Sequence, residues 1–229
     1  MIGGGISIKG SYHEINQDYF LCKSYKDGYI MVVSDGMGSK KLSHYGSKAI
    51  CESVYDVISN LNIDINIISF KDVLYFCHEK WKRELEKYYD ITQCYATVLL
   101  LVVMDNKIKA ARLGDGFLAI CVDKKIFCLY DKKENSFVNE TECLREVFDR
   151  EKVEVLEIEF ETFFGAVSCS DGVEIGTMQE NEIKSFTQEF IDEYSSKEKK
   201  YIEEDITSWL SDWPGCDDKT LAYMIKENS

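Results

Sequence analysis

The chain has 229 residues and sets 41 Asp and Glu against 27 Lys and Arg, giving a formal net charge of −14 and a pI near 4.7. Apolar residues make up 45% and aromatics 13%, enough to fill a sizeable core, which excludes wholesale disorder. The charge excludes general nucleic-acid binding and docking on an anionic membrane, and it repels phosphate unless something local reverses the sign.

In chain order, short apolar or alternating runs predict strands at Ile6–Ile8, Tyr19–Cys22 and Tyr29–Val33. Two segments of helical spacing follow. In the first, Tyr45, Ala49, Val54, Val57, Ile58 and Leu61 share a face, with Ser43 as its N-cap. In the second, Phe70, Val73, Leu74, Cys77, Trp81, Leu85 and Tyr88 form a core stripe. His44 and His78, on these two segments, read as exposed or packing residues. Strands resume at Ala96–Met104, Lys107–Leu113, Phe117–Val122 and Lys125–Tyr130, with hairpin turns at Lys26-Asp27-Gly28 and Asp105-Asn106. Asp131 to Arg150 is polar and irregular and reads as a loop or flap. Strands at Val153–Phe160 and Gly165–Cys169 come next, then helix between Thr177 and Leu210, broken near Ser195-Ser196, and a last strand at Thr220–Ile225. This order predicts an α+β fold, one domain over residues 1–229, with helices outside two packed sheets.

Nine cysteines are scattered from Cys22 to Cys216 with no Cys-x-x-Cys pair, so reduced thiols are expected rather than a disulfide scaffold or a zinc site. Met1 to Gly10 lacks the regions of a signal peptide, and the apolar run Ala96 to Met104 is too short to span a bilayer. A cytoplasmic protein is the expectation.

Chemistry concentrates where strands end in acid beside glycine. Val33-Ser34-Asp35-Gly36, Leu113-Gly114-Asp115-Gly116 and Cys169-Ser170-Asp171-Gly172 repeat one arrangement, Asp217-Asp218 precedes the last strand, and Asp18 opens the second. Such an Asp is held by the sheet yet reaches its rim, and the glycine lets a ligand come close. Any one Asp-Gly alone reads as an ordinary turn. If the carboxylates converge, two of them ~4 Å apart repel by ~4 kcal/mol at an effective dielectric of ~20, so they need cations. Oxygen ligands without Cys or His suit Mg²⁺ or Mn²⁺, and two such ions ~3.5–4 Å apart activate water and clamp a phosphoryl oxygen.

These residues resemble a known family. Asn16-Gln17-Asp18 and Val33-Ser34-Asp35-Gly36-Met37-Gly38-Ser39 look like the opening motifs of the metal-dependent protein serine/threonine phosphatases of type 2C. Tyr95-Ala96-Thr97 leading to Leu113-Gly114-Asp115-Gly116 resembles their central hairpin, and Ser170-Asp171-Gly172 and Asp217-Asp218-Lys219-Thr220 resemble the last two. The resemblance implies a four-layer α-β-β-α sandwich of mainly antiparallel sheets with two Mn²⁺ or Mg²⁺ ions, and a looser third, at one edge. Asp35 would bridge two metals, the Gly36 carbonyl would bind one, and Asp171 and Asp217 the other. Asp18 would orient the attacking water and Asp115 would hold the third ion, with Thr97 and Thr220 structural and Asp218 a hydrogen-bonding neighbour.

The chain departs from the pattern at His13, where many relatives carry a phosphate-gripping arginine, and at Met37, where eukaryotic members have histidine. It departs again at Gly116-Phe117, where many have Ser-Arg, and at Ser39, where many have Gly. This combination resembles a compact bacterial branch. His13 would then hydrogen-bond the substrate phosphate or protonate the leaving alkoxide. The implied function is hydrolysis of phosphoserine and phosphothreonine in proteins by a two-metal-activated water, with a serine/threonine kinase as signalling partner. A pseudophosphatase acting as a regulatory module, and a hydrolase of small phosphate esters, remain alternatives.

Overall fold

The computed structural model describes residues 1–61, 65, 67–132 and 141–227. Among these, two five-stranded antiparallel sheets form. One has the order β1 (Ile2–Ile8), β10 (Lys219–Ile225), β9 (Phe163–Cys169), β6 (Phe117–Val122) and β7 (Lys125–Leu129). The other has the order β2 (Tyr19–Tyr25), β3 (Gly28–Ser34), β4 (Val98–Met104), β5 (Lys107–Leu113) and β8 (Glu154–Glu159). Each expected strand is present. The β4–β5 turn is made by Asp105 and Asn106 with φ of 50° and 59°, the double left-handed geometry of a tight hairpin.

Burial explains the layering. Along β4, Val98, Leu100 and Val102 face one core while Leu99, Leu101 and Val103 face another. A strand covered on both sides must be apolar throughout, as this run is. The outer core lies beneath α1 (Ser43–Ser59) and α2 (Phe70–Leu85), with Trp81 fully buried. The central core joins the sheets, and a third lies beneath α3 (Glu180–Tyr194) and α4 (Lys199–Ser211). Helix–sheet–sheet–helix is the observed order. The break after Tyr194 falls at Ser195-Ser196, and α3 opens with a capping box between Gln179 and Glu182.

Three local expectations are corrected. Ser43 is not the cap of α1: Leu42 occupies that position, and Ser43 is a buried first helical residue whose Oγ donates to the Lys40 carbonyl at 3.1 Å. The inward face of α1 is also rotated, running through Gly46, Ser47, Ile50, Cys51, Val54 and Ile58 and leaving Tyr45 exposed. The reason is close approach. Trp81 Nε1 donates to the Gly46 carbonyl at 3.0 Å, and a Cβ on Gly46 would fall 1.8 Å from the Cys94 carbonyl oxygen. Small residues therefore face inward and larger apolar ones border the contact. Lastly, α2 stops at Leu85, so Tyr88 lies beyond it and is 78% exposed. His78 is a packing residue, buried beside Trp81 and Phe148.

Of the segment Asp131 to Arg150, residues 133–140 lie outside the described residues. Its second half is not free loop, because Leu144 bridges Ala96 beside the ends of β3 and β4. All nine cysteines are unpaired, and among the described residues no helix is long and apolar enough to cross a membrane.

Candidate metal centre

Five aspartates from distant parts of the chain meet at one edge of the paired sheets. Asp35 leaves β3 and is fixed by its backbone: its N–H donates to Thr97 Oγ1 at 2.9 Å, and its carbonyl accepts from the Thr97 N–H at 2.8 Å. Thr97 is thus structural, as expected. Asp115 sits in the short connection from β5 to β6, which crosses between the two sheets, after Gly114, whose φ of +133° and contact with the Thr97 side chain admit only glycine. Arg112 donates to the Gly114 carbonyl and pairs with Glu154, bracing that connection. Asp171 follows β9, and Asp217 stands just before β10.

One carboxylate oxygen from each of Asp35, Asp115 and Asp171 lies within 4.8 Å of the others. Asp18 is buried among them and accepts from Ser170 Oγ at 2.7 Å through Oδ2, while its Oδ1 has no hydrogen-bond partner. Burial first, and the neighbouring carboxylate of Asp218 after it, push the Asp18 carboxyl up to about 6. Burial, then the charges of Asp115, Asp217 and Asp18, push Asp171 up to about 7. Asp35 is driven well above the usual carboxylate range, again by burial and then by Asp18 and Asp171. This stored repulsion is what a divalent cation relieves. Carboxylate oxygens alone, one of them buried and unpartnered, form a donor set that fits Mg²⁺ or Mn²⁺.

Asp218 acts as a neighbour, accepting the N–H groups of Gly10 and Gln17 at 2.7 Å each. It thereby clamps the loop that carries His13. The His13 ring lies against Gly38 with Nε2 3.8 Å from Asp217 Oδ1, and Tyr12 stands edge-on to it at 4.9 Å between centroids. His13 is therefore at the rim of the cluster. Gly36 donates its N–H to the Gln17 carbonyl, and among the described residues no backbone N–H reaches its own carbonyl.

Sequence reasoning missed two supporting hydroxyls, Ser170 on Asp18 and Thr141, whose Oγ1 donates to Asp115 Oδ2 at 2.7 Å. Ser170 stood inside a quoted motif. Thr141 sits in a segment with no periodic signal. Cys169 is buried two residues before Asp171, with its thiol pushed up by burial, so it offers no thiolate at neutral pH.

The family model described as protein phosphatase 2C matches residues 11–213. The chain belongs to the protein phosphatase 2C family. No curated protein matches it by sequence. Among solved structures it is similar to a bacterial serine phosphatase, with a TM-score of 0.74 at 13% identity over 100% of this chain and 99% of that one. It is similar to the serine/threonine phosphatase Stp1 from Staphylococcus aureus, with a TM-score of 0.72 at 13% identity over 99% and 95%. It is also similar to the catalytic domain of PstP, a serine/threonine protein phosphatase in complex with two manganese ions, with a TM-score of 0.71 at 12% identity over 99% and 98%. At these identities the likeness establishes the protein phosphatase 2C fold.

Proposed function

We propose that this protein phosphatase 2C family member hydrolyses phosphoserine and phosphothreonine in proteins, using Mn²⁺ or Mg²⁺. The observation that carries the reading is the meeting of Asp35, Asp115 and Asp171 at one sheet edge, with Asp18 buried beside them. In this reading Asp35, the Gly36 carbonyl, Asp171 and Asp217 would hold two ions and Asp115 a looser third, the ions supplying positive charge and an activated water. The freedom of the Gly36 carbonyl from backbone donors supports its part.

The chain's own groups do the rest. Asp18 Oδ1, with no partner in the protein, takes a hydrogen bond from the attacking water and aims it at phosphorus, while Ser170 fixes the other oxygen. His13 Nε2, at the rim, donates to a phosphoryl oxygen where relatives use arginine. Attack in line expels the serine or threonine oxygen, with no phosphoenzyme and no cysteine nucleophile. The substrate is a phosphoprotein in a reducing cytoplasm, and a serine/threonine kinase supplies it.

The test is phosphate release from a phosphopeptide with and without Mn²⁺. Release that needs the metal, stops with EDTA and falls at least ~10³-fold in Asp35→Ala is expected. Release unchanged by EDTA, or retained by Asp35→Ala, overturns the mechanism. Turnover of nucleotides in preference to phosphopeptides overturns the substrate class.

A further inference from the structure

Three aspartates share one sheet edge, and one of them is held there from outside the aspartate motifs. We propose that Thr141 is a positioning residue: it keeps the Asp115 carboxylate turned toward Asp35 and Asp171 and so sets the affinity of the loosest metal site. The proposal rests on the phosphatase reading above and deepens it, because the protein's response to metal is then governed in part by a segment that lies outside those motifs.

The charges around Asp115 push it outward. One of its carboxylate oxygens lies within 4.8 Å of oxygens of Asp35 and Asp171. Burial first, then the charge of Asp115, raises Asp171, and Asp115 also adds to the charges that, after burial, raise Asp35. Asp115 is half-buried, so an unrestrained side chain would turn toward solvent and away from this repulsion. Thr141 Oγ1 opposes that turn by donating to Asp115 Oδ2 at 2.7 Å. A hydrogen bond onto an ionised carboxylate is among the stronger kinds, and the carboxylate keeps acceptor capacity for a cation beyond it. Thr141 is β-branched, so its χ1 is stiff and its hydroxyl is aimed in advance.

The backbone that carries Thr141 is fixed at several points. Leu144 is buried and donates its N–H to the Ala96 carbonyl at 2.8 Å, next to the Thr97 that fixes the Asp35 backbone. Beyond Leu144, side chains of α2 satisfy backbone carbonyls that no sheet reaches. His78 Nε2 meets the Arg145 carbonyl at 2.6 Å, Lys82 Nζ donates to the Glu146 carbonyl at 3.1 Å, and Lys71 Nζ donates to the Arg150 carbonyl at 3.0 Å. A carbonyl only accepts, so His78 carries a proton on Nε2 there. The Tyr95 hydroxyl completes the set by donating to Glu146 Oε2 at 2.7 Å. The segment from Thr141 to Arg150 is thus strapped along α2, with Thr141 as its end at the aspartate cluster. Its hydroxyl reaches Asp115 from a backbone that the rest of the fold has already fixed.

Removing an outer group that hydrogen-bonds a ligating side chain lowers metal affinity by about 10–100-fold although the group never touches the metal. The loss falls on the site whose ligand is released. Here that is the looser third ion assigned to Asp115, and the two ions assigned to Asp35, Asp171 and Asp217 keep their affinities. A residue that only supports the fold behaves differently, weakening every site together.

The test counts Mn²⁺ by the electron paramagnetic resonance signal of the free ion, as metal is titrated into metal-free protein at neutral pH without substrate. Wild-type protein is expected to show three sites, and Asp115→Asn identifies the weakest by removing it. Thr141→Val keeps the shape and loses the hydroxyl, and is expected to weaken that site about tenfold while the other two stay within about twofold. Thr141→Ser returns the donor, and is expected to bring the site back to within about threefold of wild type. The weakest site unchanged in Thr141→Val, all three sites weakened alike, or no recovery in Thr141→Ser overturns the role of Thr141. Wild-type protein that takes up only two ions overturns the third site and this role with it. Metal-dependent phosphate release by wild-type protein, assayed alongside, leaves the phosphatase reading standing in each of those cases. No Mn²⁺ bound at millimolar metal, together with no release, overturns both.

Discussion

At the scale of single residues, the aspartate cluster couples folding to protons and to metal. An unfolded Asp titrates near 3.8, whereas Asp18 and Asp171 stand at about 6 and about 7 in the folded, metal-free chain. Between those values the folded chain holds more protons than the unfolded one, so its stability falls as pH rises from about 4 to about 7. Metal-free protein is therefore expected to show a Tm lower by ~3 °C or more at pH 7.5 than at pH 5, measured by differential scanning calorimetry. A metal-free Tm that rises over that interval contradicts the cluster's electrostatics. His13 is tested separately. If its Nε2 donates to phosphate, His13→Ala raises KM by about tenfold with kcat little changed, and His13→Arg restores KM. Loss of the alkaline limb of the kcat profile instead would assign His13 to the leaving group. Asp35, Asp115 and Asp171 were legible in the sequence because each ends an apolar strand beside glycine. Thr141 was not, since its partner Asp115 is 26 residues away and nothing in the local pattern marks the contact.

Elements were readable to the extent that burial on a face imposes a period. β4 is apolar on both sides because a layer covers each face, and its run shows it. α1 misleads in its first turns for the opposite reason: it packs so closely on Cys94 and Trp81 there that Gly46 and Ser47 line the inner face, and the apolar spacing marks only Ile50, Cys51, Val54 and Ile58 further on. Two substitutions check this packing by urea denaturation. Trp81→Ala should cost ~3–5 kcal/mol, through a cavity and the lost bond to the Gly46 carbonyl. Gly46→Ala should cost about 2–3 kcal/mol despite improved helix propensity, because its Cβ meets the Cys94 carbonyl. A neutral or stabilising Gly46→Ala would show that α1 can withdraw from that contact.

For the whole molecule, the order of strands and helices indicated two sheets with helices outside, but not which strands pair. β10 lies between β1 and β9, joining the two ends of the chain, and β8 returns to β5 across a long segment. Those pairings bring the strand ends, and with them the five aspartates, to one edge. In the proposed centre, residues more than a hundred positions apart would share an ion, so metal binding would stabilise the fold globally. Mn²⁺ at ~100 times its Kd adds about 2.7 kcal/mol per site, a rise of roughly 5–10 °C in Tm for a chain of this size. The decisive measurement is an anomalous difference map from a crystal soaked in Mn²⁺. Two strong peaks are expected on the Asp35 carboxylate, one also bound by the Gly36 carbonyl and the other by Asp171 and Asp217. Peaks confined to scattered surface carboxylates, with none at Asp35, would contradict a metal-centred phosphatase.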